Sequence, residues 1–314
     1  MTADGPAPPV LPLRQVYLLV LLTVVFWGGT PVAGKLVIHD IPPLTAGVLR
    51  YGLATLLLLG VFWRQLRPAG RFSASDLWIV LAVGLLGTTL NHVLFFFALV
   101  FAPAAHGAII APTTSPIWTL ALAAGAGRER VTRAQIGGIL LCLVGVTLVV
   151  RPERLLGGGG RALLGDLLFF LGGAAWGVYS YASKLAMQRL SAGATLTLGV
   201  AVGTVFLVPG ALAERPWAAL GAAHLGAWGA LAYLAVAGTV LSFLWWNVAI
   251  RRLGAGRTAV FSNLVPVFGV ALSWLVLGER LAPLQLVGGA LAVAGVVVCQ
   301  GPRAAARREG PRPR

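Results

Sequence analysis

A histidine in the middle of a long apolar run raises the first chemical question. His92, with Asn91 beside it, lies within an apolar stretch over 77–99, about 22 Å along a helix from Asp76. A polar group at such depth in hydrocarbon is costly and calls for a reason. Its imidazole could bind a substrate carboxylate or carry a proton near neutral pH. It could equally be a neutral ring hydrogen-bonded to a neighbouring helix, with Asn91 as its structural partner. Trp27 and Trp176 also sit mid-stretch, where the interfacial belt that accounts for Trp63, Trp78 and Trp217 does not reach. They either line a cavity or pack helices. Trp246, between Trp245 and Asn247, and Tyr179, two residues before Tyr181, add flat apolar surface and hydroxyls. Pro112, Pro116 and Pro266 fall inside apolar stretches, where a missing N–H frees a carbonyl one turn earlier and kinks the helix. They are candidates for gating or kinking. Ser262 and Asn263 stand about one turn before Pro266 and could cap or bind there.

The elements that must position these residues are membrane spans. The 314 residues are 58% hydrophobic and only 11% charged, and mean hydropathy is +0.87. A soluble domain carries about 25% charged residues, so a cytosolic enzyme, a secreted disulfide scaffold and a disordered chain are excluded. Ten apolar stretches are read at 16–37, 44–63, 77–99, 104–126, 134–150, 166–186, 193–212, 228–249, 256–277 and 283–300. Each is expected to be a helix, because backbone groups in lipid must be satisfied within the segment. The net charge of +15 would suggest nucleic acid in a soluble protein. Here Lys and Arg in the segments on the N-terminal side outnumber those on the other side almost threefold. By the positive-inside rule both termini are cytoplasmic, and no nucleic-acid partner is expected.

The two halves repeat each other. Phe26-Trp27-Gly28, ending at Lys35, matches Ala175-Trp176-Gly177, ending at Lys184, at an offset of 149. Pro116 matches Pro266, Glu129-Arg130 matches Glu279-Arg280, Gln135 matches Gln285, Gly138 matches Gly288 and Gly145 matches Gly295, all at 150. Each half has five stretches, an odd number, so the second must enter the membrane the opposite way. Inverted repeats suit a transporter, in which exchange of conformations between halves alternates access. The expected organisation is a cytoplasmic segment 1–15, a first repeat 16–150, a linker 151–165, a second repeat 166–300 and a basic tail 301–314.

The run Phe26-Trp27-Gly28-Gly29-Thr30-Pro31-Val32-Ala33, then Pro42-Pro43 and Arg50-Tyr51, resembles the opening helices of an EamA domain. So do the closing patterns, most clearly Asn263-Leu264-Val265-Pro266-Val267-Phe268, Leu277-Gly278-Glu279-Arg280, Gln285 and Gly288-Gly289-Ala290. The first repeat has Ala126-Gly127-Arg128-Glu129 where the second has Leu277-Gly278-Glu279. The resemblance covers nearly the whole chain as two domains of the drug/metabolite transporter superfamily. It implies an all-α integral membrane protein of ten transmembrane helices in two inverted five-helix repeats, a bacterial inner-membrane location, and export of amino acids or other small metabolites.

The substrate-binding candidates are thus Trp27, Asn91, His92, Trp176, Tyr179, Trp246 and Asn263. The expected partners are a small-molecule substrate and the lipid bilayer. Proton coupling through His92 stays open, as does the choice between monomer and homodimer. No cofactor or metal is expected: Cys142 and Cys299 lie in separate stretches and read as small packing residues. No Gly-Lys-Ser/Thr phosphate loop is present. None of the nine carboxylates falls mid-stretch, which argues against an exporter of cationic drugs. Lys35 and Lys184 read as snorkelling ends. Arg50 lies deeper, able to hold an anion or to pair with Asp40 or a helix end. The alternatives are a lipid-linked or nucleotide-sugar carrier, for which basic groups within the stretches are few, and an intramembrane enzyme, for which His92 lacks an evident catalytic partner.

Overall fold

Apolar sequence with few internal breakers leaves the backbone one way to satisfy itself in hydrocarbon, and the chain takes it. A computed structural model describes residues 11–66, 73–125, 131–151, 160–253, 258 and 261–306, and among these there is no strand. Among the described residues ten main helices follow one another: α1 (Leu13–Asp40), α2 (Pro43–Phe62), α3 (Ala74–Phe101), α4 (Ala104–Gly125), α5 (Arg133–Val150), α6 (Gly160–Ala186), α7 (Ala192–Ala213), α8 (Leu225–Leu253), α9 (Val265–Leu277) and α10 (Pro283–Ala306). One short helix, Trp217–Ala222, lies between α7 and α8. Polar residues set several ends. Ser73 with Asp76 and Thr132 with Gln135 form reciprocal capping boxes at the starts of α3 and α5. Gly278, at φ 68°, closes α9 in the left-handed conformation that favours glycine.

Three stretches differ from the sequence reading. The sixth begins at Gly160 instead of 166, so the expected linker shrinks and its residues 152–159 lie outside the described residues. Arg161, in the helix's first turn, is exposed, and its guanidinium rests 5.8 Å from the Phe101 ring centre. The tenth runs on to Ala306, into the expected tail. The ninth is not one continuous helix. A turn at Asn263 and Leu264 precedes α9, and Pro266 sits in the first turn of that helix rather than in its interior. Proline suits a first turn, where its missing N–H is no loss. The matched Pro116, like Pro112, is inside α4. The pair is therefore equivalent in sequence but not in structure. Of the expected anchors, Glu129 and Arg130 lie outside the described residues.

Two spans carry an irregularity that hydropathy does not report. α3 contains a π-helical stretch at Leu85–Leu90, and α8 contains one at Val236–Leu241. Thr239 Oγ1 donates to the Leu234 carbonyl at 2.9 Å and Ser242 Oγ to the Ala237 carbonyl at 2.6 Å, both five residues back. Such widened turns occur often at functional sites.

Packing pairs the helices in a repeated way. α4 lies along α6 as α9 lies along α1; α3 lies along α6 as α8 lies along α1; and α2–α7 and α5–α10 pair directly. The tightest seam is α5–α10. A Cβ at Gly145 would come within 2.4 Å of the Ala292 nitrogen and 2.5 Å of the Gly288 oxygen, and one at Gly295 within 2.5 Å of the Cys142 nitrogen. Here backbone touches backbone, as small residues allow between membrane helices. Gly173, Gly177 and Gly203 likewise admit neighbouring helices closely. Leucine and valine face outward, among them Leu56, Val205 and Leu275, as a lipid-facing surface requires.

Candidate substrate site

The helices enclose a central cavity of about 540 Å³, within the usual range for small-molecule sites. All ten residues singled out from the sequence line it: Trp27, Asn91, His92, Pro112, Pro116, Trp176, Tyr179, Trp246, Asn263 and Pro266. They come from both halves of the chain. Trp245 does not line it and instead packs against Phe26, ring centroids 5.6 Å apart. Tyr181 is also absent from the lining.

One wall is aromatic. Trp27 meets Trp246 at 4.9 Å and Phe243 at 5.8 Å between centroids, and Trp176 meets Tyr179 at 4.9 Å and Phe243 at 6.3 Å. Offset and edge-on contacts of this kind hold rings in place. The matched tryptophans of the two repeats thus share Phe243 as a common neighbour. Tyr179 is seated by Gly87 of the π turn, where a Cβ would come within 2.1 Å of the ring.

The lining also holds polar groups. His92 is buried, stacked on Phe96 at 4.0 Å and edge-on to Tyr51. Its Nε2 lies 2.8 Å from the Pro43 carbonyl. A carbonyl only accepts, so Nε2 carries a proton, and in the neutral ring Nδ1 is then an acceptor. That Nδ1 is buried without a partner. Gly47 makes room for this ring, since a Cβ there would fall 2.5 Å from Nε2. Asn91 is not its partner; its Nδ2 donates to the Gly172 carbonyl at 3.2 Å and ties α3 to α6.

The sequence reading missed several groups. Thr239 faces the cavity from the second π turn and accepts from Arg50 Nη2 at 3.3 Å. Asp40 does not reach Arg50; it bonds His39 and His224 instead. Lys35 does not snorkel outward, for its Nζ donates to the carbonyls of Leu99 and Ala102 and so caps the end of α3. Glu279 accepts from the amides of Ala104 and Ala105 at 2.9 and 2.8 Å, capping α4. Glu214 does the same for Leu44 and Thr45 on α2 at 2.9 and 2.7 Å. Carboxylates at helix starts are favoured by both the free N–H groups and the dipole. These caps join residues some 170 positions apart, so no local pattern announces them. Asp166 lies near the start of α6, where a charge would ordinarily reach the interface, yet it is buried against His106.

All three caps, Lys35, Glu214 and Glu279, lie at one end of the bundle. There Val37, Ile41, Leu99 and Ala102 are buried and seal it. At the other end the cavity extends to Met187, Ala192 and Ile250, and Met187 is half-exposed. The site is therefore a pocket closed at one end and reaching the surface at the other. Among the described residues no group of three or more His, Cys, Asp or Glu could hold a metal ion. Cys142 and Cys299 are free and buried.

Comparison with known proteins agrees with this architecture. The model of the EamA-like transporter family matches residues 14–151 and again 163–299. The chain is 29% identical to an uncharacterized transporter of Bacillus subtilis, YyaM, over 91% of this chain and 94% of that protein. It is 29% identical to a probable amino-acid metabolite efflux pump of Salmonella typhimurium, covering 89% of this chain and 93% of that one. It is 28% identical to a probable terminal-alkyne amino-acid exporter of Streptantibioticus cattleyicolor, covering 96% and 98%. One crystal structure superposes with a TM-score of 0.58 at 20% identity, over 95% of this chain and 99% of that one, a likeness of fold. With a family match across both halves, apolar helices fit to cross a bilayer and a cavity between them, the chain belongs to the EamA-like transporter family and is a multi-pass membrane transporter of the drug/metabolite transporter superfamily.

Proposed function

We propose that the chain exports amino acids or closely related small metabolites across a bacterial inner membrane by alternating access, with both termini cytoplasmic. The observation that carries this reading is the cavity itself: both halves build it, and it is closed at one end only. Alternating access needs two halves that can exchange conformations, which inverted repeats provide. The mirrored pairings α4–α6 with α9–α1, and α3–α6 with α8–α1, support that relation. So do the π turns, placed in the third and eighth spans with Gly87-Thr88 and Gly238-Thr239 each 151 positions apart. The excess of Lys and Arg on the side of the open end, with Met187 and Ile250, supports a cytoplasmic opening. An exporter resting in that state meets its substrate where the substrate is made. The names of two relatives, an amino-acid metabolite efflux pump and an amino-acid exporter, support the substrate class.

Proteoliposomes loaded with radiolabelled amino acids are the direct test. At least one amino acid should leave faster than from protein-free liposomes. If a broad panel shows no difference, the amino-acid reading fails.

Single cysteines test the mechanism. Met187→Cys at the open end should react readily with an impermeant maleimide from the cytoplasmic side, and Val37→Cys, fully buried at the sealed end, should react slowly from outside. Transported substrate should slow the first and speed the second. Rates that move together, or stay fixed, would refute alternating access.

A further inference from the structure

Within this cavity the balance of charge is one-sided. Among the described residues lining it there is no Asp, Glu or Lys, and Arg50 is its one permanently charged side chain. Arg50 is itself 8% exposed. A buried guanidinium ordinarily finds a carboxylate, because an unpaired charge away from water is expensive. Arg50 has none: it forms no salt bridge with a described carboxylate, donates one hydrogen bond to Thr239 Oγ1, and stacks at 4.7 Å over the Tyr51 ring. Its Nε is buried with no partner at all.

Thr239 and Tyr51 orient the group without neutralising it. The Thr239 hydroxyl proton goes to the Leu234 carbonyl of its own π turn, so toward Arg50 it acts as an acceptor. The π turn thereby aims a lone pair at one Nη and leaves the Nε edge of the guanidinium uncommitted. Arg presents its donors in a planar fork that matches a carboxylate. A site with a cation, unused donors and no resident anion is complete only when an anion arrives.

We infer that Arg50 receives the carboxylate of the transported molecule. This assignment rests on the export reading above and narrows it to molecules bearing a free carboxylate. Thr239 and Tyr51 are positioning residues for the guanidinium.

The test uses the purified full chain and reads quenching of its intrinsic tryptophan fluorescence, since Trp27, Trp176 and Trp246 line the same cavity. The probes are leucine, its methyl ester, which keeps the ammonium but blocks the carboxylate, and 4-methylpentanoate, which keeps the carboxylate but lacks the ammonium. The same triplet is repeated for a panel of amino acids. The wild-type chain should bind the free acids at least about ten-fold more tightly than the esters, the scale expected for a desolvated charge pair. Arg50→Gln should lose that preference, with acid and ester within about two-fold of each other. Arg50→Lys, which keeps the charge but not the fork, should keep the preference with weaker binding. The assignment is overturned if the wild-type chain binds esters as well as acids, if Arg50→Gln retains the preference, or if no carboxylate binds. Should Arg50→Gln fail to fold, the wild-type comparison and Arg50→Lys still decide the question. Binding of carboxylates without efflux from proteoliposomes would defeat the export reading and leave the Arg50 assignment standing; efflux of esters and acids alike would do the reverse.

Discussion

Replacing Gly145 with alanine is expected to destabilise the protein by about 3 kcal/mol or more, at the top of the range for overpacking. The added methyl group would lie 2.4 Å from the Ala292 nitrogen and 2.5 Å from the Gly288 oxygen. Both are backbone atoms, so no side chain can swing aside; α5 and α10 must move apart. That movement would also open the contacts at Gly138 and Gly288, because the same two helices make them. Gly295→Ala should behave alike, since its Cβ would meet the Cys142 nitrogen at 2.5 Å. Gly137→Ala is the control, with nothing within 4 Å of its Cβ. The two native cysteines provide the readout. Cys142 and Cys299 are buried in this seam, so a thiol-reactive fluorophore reports its opening during thermal unfolding in detergent. Gly145→Ala should lower the midpoint and speed labelling, while Gly137→Ala should leave both near wild type. A wild-type midpoint for Gly145→Ala would mean that the seam is looser than these distances.

The second large effect is expected at His106. Its Nδ1 lies 2.7 Å from Asp166 Oδ1, and its Nε2 lies 2.9 Å from Gln285 Nε2. The surrounding backbone fixes every donor in this network. Gln285 Oε1 accepts from the Ala282 amide at 3.0 Å, and its Nε2 donates to the Val149 carbonyl at 2.8 Å. The amide therefore cannot flip, and its remaining N–H must point at His106. The imidazole then accepts at Nε2 and donates from Nδ1 to Asp166. His106→Leu would strip the buried carboxyl group of its partner and strand a Gln285 donor, at a cost of about 3–5 kcal/mol. Asp166→Asn keeps an oxygen for the His106 proton and removes a buried acid whose Oδ2 already lacks a partner. Its cost should stay near 1 kcal/mol or below. Unfolding midpoints of the two variants, with expression level as a second reading, test the asymmetry. Equal losses would show that the carboxylate, and not its pairing, stabilises the network.

These two sites mark where the sequence could and could not be read. Hydropathy placed the spans because the bilayer imposes one requirement on all of them, and α2, α4 and α5 end within a residue of the stretches read for them. Arg50 and His92 drew notice because a polar group at that depth is costly. Their surroundings were not legible. Thr239 meets Arg50 across 189 positions, and Pro43 meets His92 across 49. Tertiary packing makes such pairs, and neither periodicity nor spacing encodes them. Asp166 opens the sixth stretch as read from sequence, a place that normally means the interface, yet the ends of α4 and α10 close over it. The glycines of the α5–α10 seam were visible as a repeat, but identity of spacing does not say that backbones touch. Pro266 was matched to Pro116 by number, and only the turn at Asn263 and Leu264 separates their structural roles.

The π turns bear on the history of the chain. Each lengthens its span by an irregular turn that hydrophobicity does not demand, and each carries a Gly-Thr pair, Gly87-Thr88 and Gly238-Thr239. Two independent insertions at the same place in two halves would be a coincidence. A shared place in the third and the eighth span fits the repetition of the EamA-like match in the two halves. The two turns now serve different neighbours: Gly87 seats the ring of Tyr179, and Thr239 orients Arg50.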